Sequence, residues 1–203
     1  MSEISAGQVK QLREATGAGM MDCKKALVET GGDYDKAVAF LREKGLASAA
    51  KRAGRSANQG VVESYIHFNK TVGVLIEVNC ETDFVANTDE FKALARDLAL
   101  HIASPAAPRF VDRDQVPQAE LDAERRIFEV QAKESGKPEN VVDKIVEGKL
   151  ASFLKDIVLL DQPFVKDDSK TVQQLLDEVS AKVGEKVAVK RFARYKLGED
   201  AGS

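Results

Sequence analysis

The sequence predicts an α+β fold with an N-terminal three-helix module, a linker, and an α+β core in which helices pack on a small antiparallel sheet. Apolar residues recur at helical spacing from Val9 to Leu41, which indicates short amphipathic helices. After Gly60 the pattern changes to two runs rich in β-branched residues, and later segments return to helical spacing. A sheet covered by helices is the usual solution for such a mixed pattern.

Local signals bound the first two predicted helices. Ser5 is followed three residues later by Gln8, which is the pattern of a capping box, and the "TGAG" of Thr16–Gly19 ends the first helix. The second helix runs from Met20 to about Thr30, where Gly31-Gly32 terminates it. These signals predict two short helices at the start of the chain.

Asp33 is placed to cap a third helix, which we expect to end at Gly45. Three short helices enclose a very small core, so this module suits recognition of a partner better than a buried active site. The basic and polar stretch from Leu46 to Gly60 is interpreted as a fraying helix that leads into a flexible linker. We therefore assign residues 1–46 to the N-terminal domain, 47–60 to a basic linker, 61–198 to the core and 199–203 to a disordered tail.

The core begins with a predicted β-hairpin. The runs Val61–Phe68 and Thr71–Asn79 flank Asn69-Lys70, and Asp89 is placed to cap the helix that follows. The later segments are a helix from Gln118 to Ser135 with Leu121, Ile127 and Phe128 as its apolar stripe, helical segments between Pro138 and Leu160, a loop at Asp161–Lys170, a helix from Thr171 to Gly184, and a strand at Lys186–Leu197.

Composition and charge narrow the classes of function. The net charge is −3; residues 1–60 hold 10 basic against 7 acidic side chains, and the remainder holds 20 against 26. No global basic field is therefore available to attract nucleic acid, and we expect no direct nucleic-acid binding. The first residues lack an apolar leader and no run is long enough to span a membrane, so we expect a cytoplasmic protein without membrane contact.

No residue pattern indicates catalytic or metal chemistry. The two cysteines, Cys23 and Cys80, form no CxxC pair, and His67 and His101 complete no metal-ligand spacing. Neither a phosphate-binding loop nor a nucleophile elbow is present, so we expect no enzyme, no cofactor and no bound nucleotide. Cys80 is the better candidate for a reactive thiol because it lies beside a predicted loop.

The stretch "CETDFVANTDE" places Asp83 and Phe84 together just after a predicted strand. Binding residues concentrate on such strand-to-helix connections. The alternative is that Phe84 folds back into the core while Asp83 solvates the turn, because most phenylalanines are buried. The pattern alone leaves both interpretations open.

Four stretches together resemble bacterial elongation factor Ts, the guanine-nucleotide exchange factor of elongation factor Tu. They are "LREATGAGMMDCKKAL" at Leu12–Leu27, "GGDYDKAVAFLREKG" at Gly31–Gly45, "EVNCETDFVAN" at Glu77–Asn87 and "LLDQPFVKD" at Leu159–Asp167. The resemblance runs from about Val9 to about Leu197. It implies a ubiquitin-associated-like three-helix domain, a linker and an α+β core with an antiparallel sheet.

The resemblance also implies the partner and the residues that meet it. In the family an Asp-Phe pair reaches the GTPase, and the aromatic ring inserts between two of its helices near the magnesium site. That role falls to Asp83 and Phe84, with Thr82, Val85 and Asn87 shaping the loop. Phe84 is then expected to be exposed, because its pocket belongs to another molecule.

Further contacts implied by the resemblance are Arg13, Met20 and Lys24 on the N-terminal helices, and His67 in the first core strand. Each has an ordinary alternative: core packing for Met20, a solvated helix face for Arg13 and Lys24, and a satisfied strand histidine for His67. Longer family members carry a second core repeat. This chain resembles the short form, so we expect a homodimer, with the final strand as one candidate surface.

Three rival functions remain open on the sequence. An RNA-binding protein of the translation apparatus would fit the small helical domain and basic linker, although the acidic core speaks against it. A thiol enzyme or redox sensor would use Cys80. An adaptor for a ubiquitin-like ligand would use the N-terminal helices, an idea that rests on fold analogy alone.

Overall fold

The computed structural model describes residues 4–134 and 138–199, and within them eight α-helices and five strands. The helices are α1 Ala6–Thr16, α2 Met20–Glu29, α3 Tyr34–Arg52, α4 Asp83–Ala86, α5 Asp89–Ala103, α6 Gln118–Glu134, α7 Glu139–Ile157 and α8 Val172–Val183. The strands are β1 Gln59–Ile66, β2 Val72–Cys80, β3 Pro163–Phe164, β4 Asp167–Thr171 and β5 Ala188–Lys196. The predicted α+β class is confirmed.

The chain forms two compact units. The first comprises the chain up to Gly60 together with Asn79–Thr88 and Gln174–Ala188, and the second comprises Val61–Val78, Asp89–Gln173 and the chain from Val189 onward. The limits predicted for the linker at 47–60 and the core at 61–198 stay a prediction. Residues 200–203 of the predicted tail and the predicted helix end at Ser135 lie outside the described residues.

Helices α1 to α3 surround a small apolar cluster in the first unit. Leu12, Cys23, Leu27 and Ala37 are fully buried in it. The predicted capping box is confirmed, since the Ser5 side chain accepts from the Gln8 N–H and the Ser5 N–H donates to the Gln8 side chain. The N-terminal helices therefore begin and pack as the local signals predict.

The predicted end of the third helix at Gly45 is wrong, because α3 continues to Arg52. A glycine costs a helix about 1 kcal/mol relative to alanine, and the alanine-rich sequence after Gly45 favours the helix strongly enough to outweigh that cost. A Cβ atom at Gly45 would lie 3.7 Å from the Ala181 side chain of α8, so the backbone approaches α8 closely there. Part of the predicted linker is thus helical.

The main sheet has three strands in the order β1-β2-β5. The predicted hairpin is confirmed: the His67 N–H donates to the Val72 carbonyl, and Lys70 takes a left-handed φ of 58° in the turn. The Leu197 N–H donates to the Thr71 carbonyl, so the end of β5 lies beside the start of β2 and these strands are antiparallel.

Helix α5 supplies much of the core of the second unit. Phe91, Leu98 and Ile102 are fully buried along one face, and the helix begins at Asp89 itself, so that this residue belongs to the first turn. Helices α6 and α7, which follow α5 in the chain, pack against each other and enclose a small apolar cluster around Val146. Ile127, predicted in the apolar stripe of α6, is half exposed instead.

The segment predicted as a loop at Asp161–Lys170 contains a short hairpin. Strands β3 and β4 pair antiparallel, with Pro163 opposite Thr171 and Phe164 opposite Asp167. The hairpin is tied to α5, because the Val165 N–H donates to His101 Nδ1 at 3.1 Å and the Phe164 side chain is buried. A buried histidine on another element, which sequence spacing does not reveal, orders this segment.

His101 is fully buried and its tautomer follows from its partners. Its Nδ1 accepts from Val165, so the proton lies on Nε2, which contacts Gln162 Oε1 at 2.9 Å. The Gln162 amide nitrogen donates to the carbonyls of Ala106 and Asp156, and this orients its oxygen toward the ring. A second proton on His101 would face the Val165 N–H. Burial lowers the pKa of His101, and the Gln162 contact opposes that shift.

We expect the free energy of unfolding to fall as the pH drops below about 6.5, the ordinary histidine value. The folded-state pKa of His101 is lowered, so the unfolded chain binds the proton first and stability is lost between that value and the lower folded one. The slope is at most about 1.4 kcal/mol per pH unit. Urea unfolding at pH 5.0 to 7.5 measures it.

His101→Gln should flatten this dependence while lowering stability at neutral pH. His67→Gln is the matched control, because His67 is the other histidine of the chain and is partly exposed. If the free energy of unfolding varied with pH in the same way in the unmodified protein and in His101→Gln, the pH dependence could not be assigned to His101.

Candidate partner-binding site

The Asp83-Phe84 pair lies on α4, a single helical turn that directly follows β2. Thr82 is its N-cap: the backbone there is extended and the Thr82 hydroxyl accepts from the Val85 N–H at 3.4 Å. Sequence spacing did not predict this turn, because four residues are too few to show helical periodicity. The pair therefore sits on ordered backbone.

The residues of the turn differ in their exposure to solvent. Val85 and Ala86 are buried and anchor it, whereas Thr82 and Asp83 are exposed and the Phe84 side chain is 80% exposed. The interpretation of Phe84 as a core residue is therefore wrong, and the expectation that it is exposed is confirmed. A large aromatic side chain held in solvent on an ordered turn is available to another molecule.

Two side chains close the far end of the turn. The Asn87 amide donates to the Asp83 carbonyl at 3.0 Å, and the Thr88 hydroxyl donates to the Val85 carbonyl at 2.8 Å. Asn87, predicted to shape the loop, lies where it can do so. The predicted set Thr82, Asp83, Phe84, Val85 and Asn87 is thus brought together on one turn.

Glu185 holds the start of this turn, and sequence reasoning missed it. One carboxylate oxygen accepts from the N–H groups of Glu81 and Thr82, at 3.1 and 3.0 Å, and the other accepts from the Thr82 hydroxyl at 2.6 Å. Glu185 follows Gly184, which ends α8 with a left-handed φ of 77°. Glu185 is more than a hundred residues from Glu81 in the chain, so no local sequence pattern indicates the contact.

Glu81 makes the reciprocal contact. Its carboxylate accepts from the Lys186 N–H at 2.6 Å and from the Arg55 guanidinium at 3.2 Å. The Lys186 N–H, followed by Arg55, lowers the pKa of the Glu81 carboxyl. The Lys186 ammonium donates in turn to the carbonyls of Ala53 and Arg55. Backbone just beyond α3 is therefore bonded to the segment that carries Glu185.

Cys80 lies under the turn and is fully buried, with its thiol donating to the Thr82 carbonyl at 3.1 Å. Burial, followed by the nearby Glu185 carboxylate, raises the pKa of this thiol. The thiolate that a redox or nucleophilic role needs is disfavoured. Cys23 is likewise buried, with its thiol 3.6 Å from the Ala18 carbonyl. Both cysteines fit packing roles.

Arg13, Met20 and Lys24 lie on α1 and α2 of the first unit. All three are exposed, and Met20 is about half exposed, at 49%, so core packing does not account for it. Within the described part of the chain, neither Arg13 nor Lys24 forms an ion pair. Met21 next to Met20 is more exposed still, at 75%, and the sequence analysis did not single it out.

His67 lies in the second unit, at the end of β1. Its Nδ1 is 3.0 Å from the Tyr65 hydroxyl, and its ring centroid is 4.5 Å from that of Phe68. The ring is partly exposed, whereas Phe68 is 86% exposed. His67 thus has a partner, as the ordinary alternative expects, and still reaches solvent beside an aromatic residue that sequence reasoning missed.

Among the described residues, no group of histidine, cysteine or acidic side chains is arranged to hold a metal ion. In the same part of the chain, no helix combines the length and apolar character needed to cross a membrane.

Comparison with known proteins covers nearly the whole chain. The family model for elongation factor TS matches residues 5–199. Elongation factor Ts of Desulforamulus reducens is 59% identical over 199 residues, which are 98% of this chain and 91% of that protein. Elongation factor Ts of Desulfitobacterium hafniense is 57% identical over the same shares. That of Thermoanaerobacter sp. strain X514 is 57% identical over 97% of this chain and 96% of its own.

Proposed function

The chain belongs to the elongation factor Ts family of translation elongation factors, and we propose from this premise that it is the nucleotide exchange factor of elongation factor Tu. In this proposal it binds the GDP-bound GTPase and inserts the Asp83-Phe84 turn near the magnesium site. GDP then leaves and GTP rebinds. It acts by binding and carries out no bond chemistry of its own, and its place of action is the cytoplasm.

The observation that carries the proposal is the exposure of Phe84 on an ordered turn. Burial of one phenylalanine in a partner provides roughly 2–3 kcal/mol, equivalent to about thirty- to a hundredfold in an equilibrium constant. The turn is fixed at both ends by Thr82 and Asn87. Little backbone ordering therefore opposes insertion.

The GTPase binds both the nucleotide and this chain, and the reciprocal effect of each on the other's affinity explains how binding leads to nucleotide exchange. If the chain binds the nucleotide-free GTPase more tightly than the loaded form, it weakens nucleotide binding by the same factor. Phe84 acts through elements that hold magnesium, because loss of the ion leaves the phosphate charges unscreened. Arg13, Met20 and Lys24 supply affinity common to both states, which anchors the partner without driving exchange.

Phe84→Ala should slow the release of a fluorescent GDP analogue from elongation factor Tu by roughly thirty- to a hundredfold at equal protein concentration, because the lost burial energy is specific to the inserted state. Stopped-flow fluorescence measures the rate.

Ile127→Ala is the matched control, since it truncates an exposed apolar side chain on α6 and should leave the rate unchanged. Fast release that Phe84→Ala retains would exclude insertion. No acceleration by the unmodified protein would refute the exchange function and favour the RNA-binding alternative, which filter binding with tRNA tests.

Lys24→Ala should chiefly weaken complex formation, by roughly two- to fivefold, because it removes one exposed charge contact. The maximal rate of GDP release at saturating concentration should stay the same. Titration of the exchange rate against concentration separates the two quantities. Lys25→Ala, which removes the neighbouring exposed charge, is the control, and a lowered maximal rate in Lys24→Ala would contradict the division of roles.

The proposal includes a homodimer built on the open face of the three-stranded sheet. Alternate residues of β2 are buried, whereas the opposite face exposes five large apolar side chains: Val62, Ile66, Leu75, Tyr195 and Leu197. The charged residues of this face, Glu77 and Arg191, pair with each other at 2.8 Å. A second copy would therefore meet an apolar surface without net charge, as two packed sheets require.

Sedimentation should show twice the 22.1 kDa monomer mass, and Leu75→Asp should shift the protein to the monomer, because a carboxylate would be buried between the sheets. Ile127→Asp, at a similarly exposed position on α6, should not. An unmodified protein that is monomeric at every concentration and fully active would dismiss the dimer.

A further inference from the structure

We propose that Glu185 is a positioning residue for the exchange reaction, holding the Asp83-Phe84 turn in the geometry that inserts into the partner. The inference rests on the proposed function and adds to it a residue outside the predicted site. Glu185 itself need not touch the partner, because it acts through Thr82.

The three hydrogen bonds to Glu185 hold Thr82, the N-cap residue of α4, in place. The Thr82 hydroxyl donates a hydrogen bond to Glu185, and its oxygen lone pairs accept from the Val85 N–H. Without the carboxylate, the hydroxyl is free to rotate and the cap is not fixed. A charged acceptor that receives three donors holds its partners more strongly than a neutral one would.

The position of Glu185 is itself fixed from two sides. The Ser180 hydroxyl donates to the Glu185 carbonyl at 2.6 Å, which joins its backbone to α8. The next residue, Lys186, donates its N–H to Glu81. The two carboxylates thus connect the pair Glu81-Thr82 with the pair Glu185-Lys186 in both directions. We call these four residues the carboxylate clamp.

Phe84 needs such support because few neighbouring side chains pack against it. With 80% of its side chain in solvent, packing does not set its direction, so the backbone of the turn must do so. An inserted group that is misplaced loses much of its effect, because the supporting residues determine the geometry. The clamp provides that support from a segment far away in sequence.

The test is a double-mutant cycle of Glu185→Gln and Phe84→Ala, read by GDP release from elongation factor Tu. Glutamine keeps the shape but removes the charge and one acceptor. Glu185→Gln alone should lower the maximal release rate by roughly tenfold or more, in line with the loss of a charge-assisted hydrogen bond. In the Phe84→Ala background it should have almost no further effect, because the residue acts through Phe84.

Two controls separate positioning from loss of stability. Glu120→Gln removes the charge and one acceptor from the contacts of Glu120 with Arg109 in the second unit, and it should leave the release rate unchanged. Glu185→Asp, which keeps the charge, should recover part of the rate. Amide hydrogen exchange of Glu81 and Thr82, measured on the protein alone, should become faster in Glu185→Gln.

A release rate that Glu185→Gln leaves unchanged, or an effect that adds fully to that of Phe84→Ala, would overturn the positioning role. Unchanged amide exchange at Thr82 would overturn it as well. Failure of the proposed function is seen separately, in an unmodified protein that does not accelerate GDP release.

Discussion

The reciprocal contacts of the carboxylate clamp are the constraint on which the rest of the site depends. They join two stretches of chain more than a hundred residues apart, each of which would otherwise leave backbone N–H groups at the end of a strand or helix without partners. Because three of its four donors are backbone amides, the clamp fixes main chain and leaves the side chains of Asp83 and Phe84 facing outward. Order and exposure are therefore combined on one turn.

Buried side chains lie beneath the turn. Val85 and Cys80 fill the space under α4, and the Cys80 thiol donates a hydrogen bond to the Thr82 carbonyl. A thiol kept protonated by burial and by the adjacent Glu185 carboxylate is a small apolar residue with one weak donor. The side chain that looked reactive from its position in the sequence thus serves packing under the turn that carries Phe84.

Features with local causes could be predicted from the sequence. The capping box at Ser5, the glycine end of α2 and the β1–β2 hairpin all depend on residues within a few positions, and all are confirmed. The end of α3 was missed because one glycine signal was outweighed by alanine-rich sequence after it. The β3–β4 hairpin and the role of Glu185 were missed because each contact joins distant parts of the sequence: His101 binds Val165, and Glu185 binds Thr82.

An exposed aromatic side chain on ordered backbone has a particular energetic consequence for binding. Phe84 is 80% exposed in the free protein, so most of its burial energy becomes available only if a partner provides a pocket for it. Since the turn is ordered beforehand, that energy is not spent on ordering the chain. In the proposed exchange, insertion of Phe84 therefore distinguishes the open state of the partner from the closed one. In the proposed exchange, the charges of Arg13 and Lys24 act at a surface present in both states and therefore do not make that distinction. In this proposal, exchange depends on the geometry of the turn and affinity depends on the N-terminal helices.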